Sequence, residues 1–398
     1  MNFENWQLKY FTIWGGQAIS LVTSAVLQMA IIWYLTERTE SAMILSMATL
    51  VGFLPQALFG AFIGVWVDRW NRKWTMIVSD MLIASAAGVL AVVALTGDLP
   101  IWLIFVILFI RSVGTAFHTP ALQAITPLLV PEENLVKCAG YTQSLQSISL
   151  IISPALAGLL YASFGLQWIF YLDIIGTIFA SLAVAAVVIP NLPNTEEQQV
   201  LQEMREGFLA LKNEKALYAL LWVCAVYSFL YMPISALFPL MSLSYFNGTI
   251  TSAAVVEVVF AIGMLVGGIL LGVTGGFKKR VWSFTFSLAL MGGALIISGV
   301  LPESSFMYFA VMCSLMGLSA PFFNGIYMAL IQEKIAPEYL GRVFSLLGSV
   351  FSLAMPLGLV LSALFADDIG VERYFYLSGI GILVLAIFCA LHPKIKIL

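Results

Sequence analysis

The sequence predicts an all-α integral membrane protein with twelve transmembrane helices in two six-helix bundles. Three observations predict it: a composition too apolar for a water-facing surface, twelve apolar runs of spanning length, and a repeat relating the first six runs to the last six. Of 398 residues, 61% are hydrophobic and 10% charged, and the mean hydropathy is +0.99. A soluble domain keeps about a quarter of its residues charged, so most of this outer surface must face lipid. The formal net charge of −3 gives no reason to expect nucleic acid as a partner.

A helix crossing a hydrocarbon core of ~30 Å needs about 20 mainly apolar residues. Such runs fall near 10–35, 43–67, 74–96, 101–123, 138–163 and 167–189, and then near 216–243, 252–275, 281–301, 305–331, 340–366 and 372–392. The first is too long for the apolar core of a signal peptide and has no small-residue cleavage site, so it is read as a retained helix. Short segments of alternating polarity are absent, which excludes a membrane barrel. Placing both termini in the cytoplasm puts fifteen of the eighteen basic residues inside, leaves Arg38 and Arg373 outside, and leaves Arg111 within a span. The positive-inside bias therefore supports this topology and the even helix count.

Residues 1–190 form the predicted first bundle, 191–215 a cytoplasmic linker and 216–398 the second bundle. In the linker, Val200, Met204, Phe208 and Leu211 recur every three or four residues, the stripe of a short amphipathic surface helix. Cys138, Cys224, Cys313 and Cys389 are isolated in sequence and His118 and His392 are the two histidines, so neither a metal site nor a disulfide framework is indicated. No cofactor is expected.

The halves repeat. Pro131-Glu132 answers Pro337-Glu338, Pro154 answers Pro356, Gly64-Val65 answers Gly272-Val273, and Arg72 answers Arg280, all at offsets of 202 to 208 residues. A duplicated bundle of this kind supplies two halves that rock about a site near the midplane, a plan used widely by transporters.

The loop after the second run reads GVWVDRWNRK, from Gly64 to Lys73. It resembles the G-x-x-x-D-R-x-G-R-K/R signature of the major facilitator superfamily at Gly64, Asp68, Arg69, Arg72 and Lys73. Asn71 stands for the usual glycine, and an Asn tolerates a left-handed backbone better than most residues. The resemblance implies a major facilitator fold in which this loop latches one conformational state. Asp68 would meet the amino-terminal end of the eleventh helix near Gly341, whose dipole favours an anion. Topology-setting charge is the simpler alternative. In the second half Gly276 stands where Asp68 would be, so a second latch is not expected.

Arg111 lies ten residues into the fourth run, where it needs a partner and a wet cavity. Its surroundings, LFIRSVGTAF, resemble the superfamily's fourth-helix motif, which implies proton coupling; a structural Arg tied to carbonyls is the alternative. Asp80, Asp173 and Glu257 also lie within spans, and burial disfavours the charged form of a carboxyl. Glu257 and Asp173 are the candidates for carrying a proton. Asp80 is read as structural and tied to the basic loop, and His118 as a satisfied structural histidine.

Small residues line the fifth run (Ser144, Ser147, Ser149, Ser153, Ala155, Ala157, Gly158) and the eleventh (Ser345, Gly348, Ser349, Ser352, Gly358), allowing close helix approach. Ser153-Pro154 with Gly158 resembles a weakened form of the antiporters' Gly-Pro motif. Longer stretches resemble the bacterial macrolide-efflux (Mef-type) transporters: WGGQAISLVTSAVLQMAI from Trp14, LFIRSVGTAFHTPA from Leu108, LVPEENLVKCAGYTQSLQ from Leu129 and PEYLGRVFS from Pro337. This implies export of amphipathic drugs such as macrolides by proton antiport from the bacterial plasma membrane. It also raises a separate ATPase of the ABC-F kind as a partner, and a monomer is expected. The chain itself has no G-x-x-x-x-G-K-S/T loop.

A large amphipathic substrate wants an apolar, aromatic cavity with few polar anchors. On the expected lining helices these are Gln17, Thr23 and Gln28, then Tyr227 and Tyr231, then Asn324 and Tyr327. Met232-Pro233 and Pro239 would bend the seventh helix as a gating element, and Pro154 and Pro356, counterparts in the fifth and eleventh runs, are expected to serve helix packing and gating. An importer on the same fold and a non-transporting membrane receptor remain open alternatives. An enzyme is disfavoured, because no nucleophile–base constellation is present.

Overall fold

A computed structural model describes residues 5–131, 134–189, 208–209, 211–274, 276–277, 279–335 and 337–396. The side chains of 57, 59–62, 64–69, 135–137, 139–140, 143–144, 147, 337–342, 344–345, 349 and 352 also lie outside the described set. The described chain is all-α. Its long helices are α1 (Trp6–Thr39), α2 (Ala42–Arg69), α3 (Arg72–Thr96), α4 (Ile101–Leu129), α5 (Leu135–Phe164) and α6 (Leu166–Ala186). They continue as α7 (Lys215–Leu240), α8 (Ile250–Thr274), α9 (Arg280–Val300), α10 (Phe306–Lys334), α11 (Pro337–Ile369) and α12 (Val371–Leu391).

Among the described residues, ten helices are long and apolar enough to cross a membrane, while α2 and α5 contribute the shorter apolar segments Ala42–Gln56 and Ile148–Phe164. Helices are what a lipid environment permits, because each satisfies its backbone within its own segment. Interior prolines interrupt α2, α4, α5, α7, α10 and α11 without ending them. After Pro239 the α7 ladder loosens into a π-helical turn, Met241–Tyr245, where the Phe246 N–H reaches the Met241 carbonyl at 3.1 Å. Of the expected linker stripe, Leu211 is fully buried and Phe208 packs edge-on against Tyr218; Val200 and Met204 lie outside the described residues.

The chain divides into two compact units. Unit 1 comprises Met1–Leu35 and Ala48–Gln198, and unit 2 comprises Thr36–Met47 and Gln199–Leu398. In unit 1, α3 packs along α4 and α6. A core of Tyr10, Ile13, Met76, Ala121, Ile125 and Val184 fills the space among α1, α3, α4 and α6. One residue, Gly165, joins α5 to α6 at φ +76°, and Gly370 joins α11 to α12 at φ +95°. Both turns need the left-handed backbone that glycine alone adopts without strain.

Asn71 behaves differently from expectation. Its φ of −71° and ψ of 105° are extended rather than left-handed, and its side chain accepts from the Trp74 N–H as the N-cap of α3. Capping satisfies one of the helix's orphan donors, which explains how this position tolerates the change from glycine.

Unit 2 is held by glycine contacts between helices. A side chain at Gly263 or Gly267 would strike the Ser314 or Leu318 backbone of α10, and one at Gly317 would strike the Phe260 carbonyl of α8. Gly292 and Gly379 stand in the same reciprocal relation between α9 and α12. In lipid, where no hydrophobic force drives helices together, such close backbone approach is a main source of packing energy. Of the expected small residues, Ser153, Pro154 and Gly158 of α5 are buried and Gly358 of α11 lies against the Phe229 carbonyl and Pro233 of α7, while Ala155 is exposed and Gly348 meets open space. The glycine pairs of α8–α10 and α9–α12 are an addition.

The short segment Thr36–Met47 joins unit 2 through Asp367, near the end of α11. Its carboxylate accepts from Ser41 Oγ at 2.6 Å, the Ala42 N–H at 2.5 Å and the Met43 N–H at 3.1 Å. It thereby caps the first turn of α2 from a distant part of the chain, favourably placed against the helix dipole. One turn further, Ser46 Oγ and Ser362 Oγ lie 2.8 Å apart.

Two outcomes follow for stability in detergent. Asp367→Ala is expected to cost about 1 kcal/mol, the usual value of a lost cap, with Ser41→Ala costing less because two backbone donors stay capped; melting temperatures rank the pair. Gly317→Val is expected to cost about 1–3 kcal/mol through overpacking, whereas Gly268→Val, which meets open space, should leave the melting temperature unchanged.

Candidate functional site

Among the described residues of unit 1, the buried charged side chains Arg111, Asp173 and Asp80 lie in two layers. In the first, Arg111 Nη1 of α4 donates to Asp173 Oδ2 of α6 at 2.5 Å, with side-chain exposures of 9% and 0%. Ser24 Oγ of α1 donates to the other carboxylate oxygen at 2.6 Å. Three helices thus meet on one carboxylate, and both of its oxygens are engaged. Arg111 has the partner its position demanded, and that partner is Asp173.

The second layer lies toward the end of α4 and the start of α3. His118 Nε2 of α4 is 3.3 Å from Asp80 Oδ1 of α3, and Ser181 Oγ of α6 donates to Asp80 Oδ2 at 3.2 Å. Gln17 of α1 lies beside the same carboxylate. More than two turns into α3, Asp80 faces α4 and α6, and its described partners there are His118 and Ser181.

The basic loop itself is only partly described. Gly64, Asp68 and Arg69 occupy the last two turns of α2, but the side chains of Asp68 and Arg69 lie outside the described residues, as does the site of Gly341 as a partner. Arg72 opens α3. Lys73 donates its ammonium to the Ala185 and Val187 carbonyls at 2.7 and 2.8 Å. It neutralises the negative end of the α6 dipole, so in this structure its charge is engaged within unit 1.

Unit 2 presents aromatic rings. Tyr227 of α7 stacks on Tyr231 at 5.5 Å and on Phe323 of α10 at 4.1 Å. Phe323 stacks in turn on Phe284 of α9 at 4.9 Å, and Tyr327 lies 6.3 Å from Phe284 and 6.5 Å from Phe351 of α11. The Tyr327 hydroxyl is buried with no partner among the described residues. Glu257 of α8 is partly buried and faces Tyr231 and Cys313. A row of aromatic faces with one carboxyl beside it offers apolar area and an anchor for a cation.

The remaining expected residues scatter. Thr23 is buried against Gly176 of α6 and donates to the Ser20 carbonyl, so it packs α1 on α6. Gln17 belongs to the Asp80 layer, Gln28 reaches toward Gly52 of α2, and Asn324 is exposed. Pro233 is buried and Pro356 half-buried. Ser24, Ser181, Phe284 and Phe323 were not anticipated. The signal for the first two was spacing along one helix face, seven residues from Gln17 to Ser24 on α1 and eight from Asp173 to Ser181 on α6. All four cysteines are free and buried, and no cluster of three metal-ligating side chains occurs among the described residues.

Comparison with known proteins places this geometry. The chain is 57% identical over 397 residues to macrolide efflux protein A of Streptococcus pyogenes, covering 99% of this chain and 98% of that one. It is 55% identical over 322 residues to macrolide efflux protein A of Enterococcus faecalis, covering 80% of this chain and 99% of that one. Among solved structures it resembles the nucleoside transporter NupG with a TM-score of 0.72 at 12% identity, covering 97% of this chain and 98% of that one, a likeness of fold. The profile of the Major Facilitator Superfamily matches residues 13–359 and 243–396, and the chain belongs to that superfamily of membrane transporters and is not an enzyme.

Proposed function

We propose that this chain exports macrolide-like amphipathic drugs across the bacterial plasma membrane by proton antiport through alternating access. The observation that carries the reading is the end-to-end likeness to macrolide efflux proteins, and the geometry of the two units supports it. Unit 1 supplies a buried ion pair that a proton can disrupt. Unit 2 supplies an aromatic row with Glu257 beside it, suited to a large apolar molecule bearing an amine. The twelve helices act as spans in two six-helix bundles with both termini cytoplasmic, and the Gly64–Lys73 loop acts as a cytoplasmic latch. The transporter works as a monomer, with a separate ATPase as an accessory partner rather than the energy source.

Coupling follows from the electrostatics of the pair. With both charges present, Arg111 and Asp173 compensate each other where either alone would be costly. A proton delivered to Asp173 neutralises the carboxylate, and Arg111 then lacks its counter-charge. The conformation that best solvates a lone Arg111 is favoured until the proton leaves, which ties proton movement to reorientation. Drug binding in unit 2 need not touch the pair to be coupled to it, provided both bias the same two states.

Energised everted membrane vesicles given labelled erythromycin in the medium test the reading: the parent chain should drive its uptake, and collapsing the proton gradient should stop it. Uptake that persists without a gradient, or no erythromycin movement at all, refutes the proposal. Arg111→Met and Asp173→Leu are each expected to abolish driven transport and to cost about 3–5 kcal/mol by leaving a charge buried alone. The double variant should regain most of the folded yield but none of the transport. Glu257→Gln should raise the apparent KM for erythromycin about tenfold, equivalent to about 1.4 kcal/mol, and Tyr231→Leu about two- to fivefold for a lost cation–π contact.

A further inference from the structure

We propose that Asp80 and His118 form a second proton-binding site in unit 1, in series with the Arg111–Asp173 pair and joined to it through the hydroxyl of Thr177. The proposal rests on the proton-antiport reading and gives the proton a route after it leaves Asp173.

Three helices each present polar groups to both layers. Ser24 and Gln17 lie seven residues apart on α1, Arg111 and His118 seven apart on α4, and Asp173 and Ser181 eight apart on α6. Seven or eight residues return a helix to nearly the same face after a rise of about 10–12 Å. The layers are therefore stacked along the helix axes, and on the proposed topology the Asp80–His118 layer is nearer the cytoplasm. Thr177 sits one turn from Asp173 and one turn from Ser181 on the same face of α6. It is fully buried, and its hydroxyl has no partner among the described residues. A buried polar group left unmatched costs about 1–3 kcal/mol, so its retention between two ionisable layers calls for a role. A hydroxyl accepts a proton on one side and donates on the other, and each turn of about 5.4 Å is the span of one bridging water.

The transfer balances as follows. A hydronium ion from the outer side protonates Asp173 and releases Arg111. The acid O–H of Asp173 passes its proton to the relay, Thr177 hands its own hydroxyl proton onward, and the lone pair of His118 Nε2 accepts one. Asp173 is again a carboxylate able to pair with Arg111, and His118 is an imidazolium facing the Asp80 carboxylate. His118 then returns the proton to water on the cytoplasmic side. Asp80 thus holds the cation that forms, in place of serving as a purely structural tie. The groups facing the pair do not compete for this charge. Gln17 from α1 and Ser181 from α6 are neutral. Arg111 stands two turns away on α4, and the nearest cation on α3, Lys73, is engaged by the Ala185 and Val187 carbonyls.

The test uses the purified full chain in proteoliposomes with an internal pH indicator, comparing erythromycin-driven proton movement with erythromycin counterflow, which needs no net proton transfer. Asp80→Asn and His118→Gln are expected to slow proton movement about a hundredfold, the low end of what a positioned proton-transfer group contributes, while counterflow persists. Thr177→Val, which keeps the packing volume, should slow proton movement with the same selectivity and decides the matter if Asp80→Asn fails to fold. The proposal is overturned if proton movement stays at the parent rate, or if it falls only in proportion to counterflow, as a structural tie would predict. A parent chain that carries erythromycin without any proton overturns the antiport reading and this proposal together, whereas parental coupling with normal variants overturns this proposal alone.

Discussion

The arrangement of unit 1 depends on the energy of placing a guanidinium in the middle of an apolar helix. At a helix centre an Arg costs about 2.5–3.5 kcal/mol on insertion scales, and that penalty must be met inside the protein. Asp173 meets it from α6, and Ser24 from α1 occupies the carboxylate's other oxygen. Three helices are fixed in register by this one contact, since a shift of a single residue on any of them would turn its group away by about 100°. The same registers bring His118 and Ser181 onto Asp80 further along. The second layer is thus a geometric consequence of the first, given polar residues at those spacings.

Unit 2 solves its packing by other means. Its helices approach through glycines, with carbonyls of α8 and α10 lying where side chains would otherwise stand. Its centre is aromatic, running from Tyr231 through Tyr227 and Phe323 to Phe284. Glycine contacts give close approach without polar groups, and stacked rings provide area with few rotatable bonds. One unit is therefore built around charge and the other around apolar faces, a division that suits the proposed exchange of a proton for an amphipathic molecule.

Much of the fold was legible in the sequence because each span writes its own signal. The run near 101–123 became α4 (Ile101–Leu129) and that near 281–301 became α9 (Arg280–Val300), since apolar length is a local property. What was illegible is pairwise. Nothing local connects Arg111 to Asp173, 62 residues away, or assigns Lys73 to the end of α6. Asn71 was read from the glycine it replaces, and the structure shows it working as an Asn, through its side-chain oxygen. Likewise Thr23 looked like a cavity hydroxyl, but it lies on the face of α1 that meets Gly176. Residue type narrowed the candidates; helix rotation, which only packing fixes, decided among them.

The internal repeat makes the division of the units sharper. At the 206-residue offset set by Pro131 and Pro337, Arg111 corresponds to Gly317 and His118 to Asn324. At the 205-residue offset set by Gly165 and Gly370, Asp173 corresponds to Ser378 and Ser181 to Ala386, and at the 208-residue offset of Arg72 and Arg280, Asp80 corresponds to Leu288. Conversely, Glu257 corresponds at 208 residues to Thr49. Every ionisable member of the two layers has thus a neutral counterpart in the other half. Gly317 is the most telling, because the position that carries a buried cation in α4 carries, in α10, a glycine pressed against the Phe260 carbonyl. A Cβ there would already collide, so the second half cannot hold an arginine at that point without separating α8 from α10. The two halves share a helical plan, and their packing leaves room for a buried arginine in α4 and none at the corresponding point of α10.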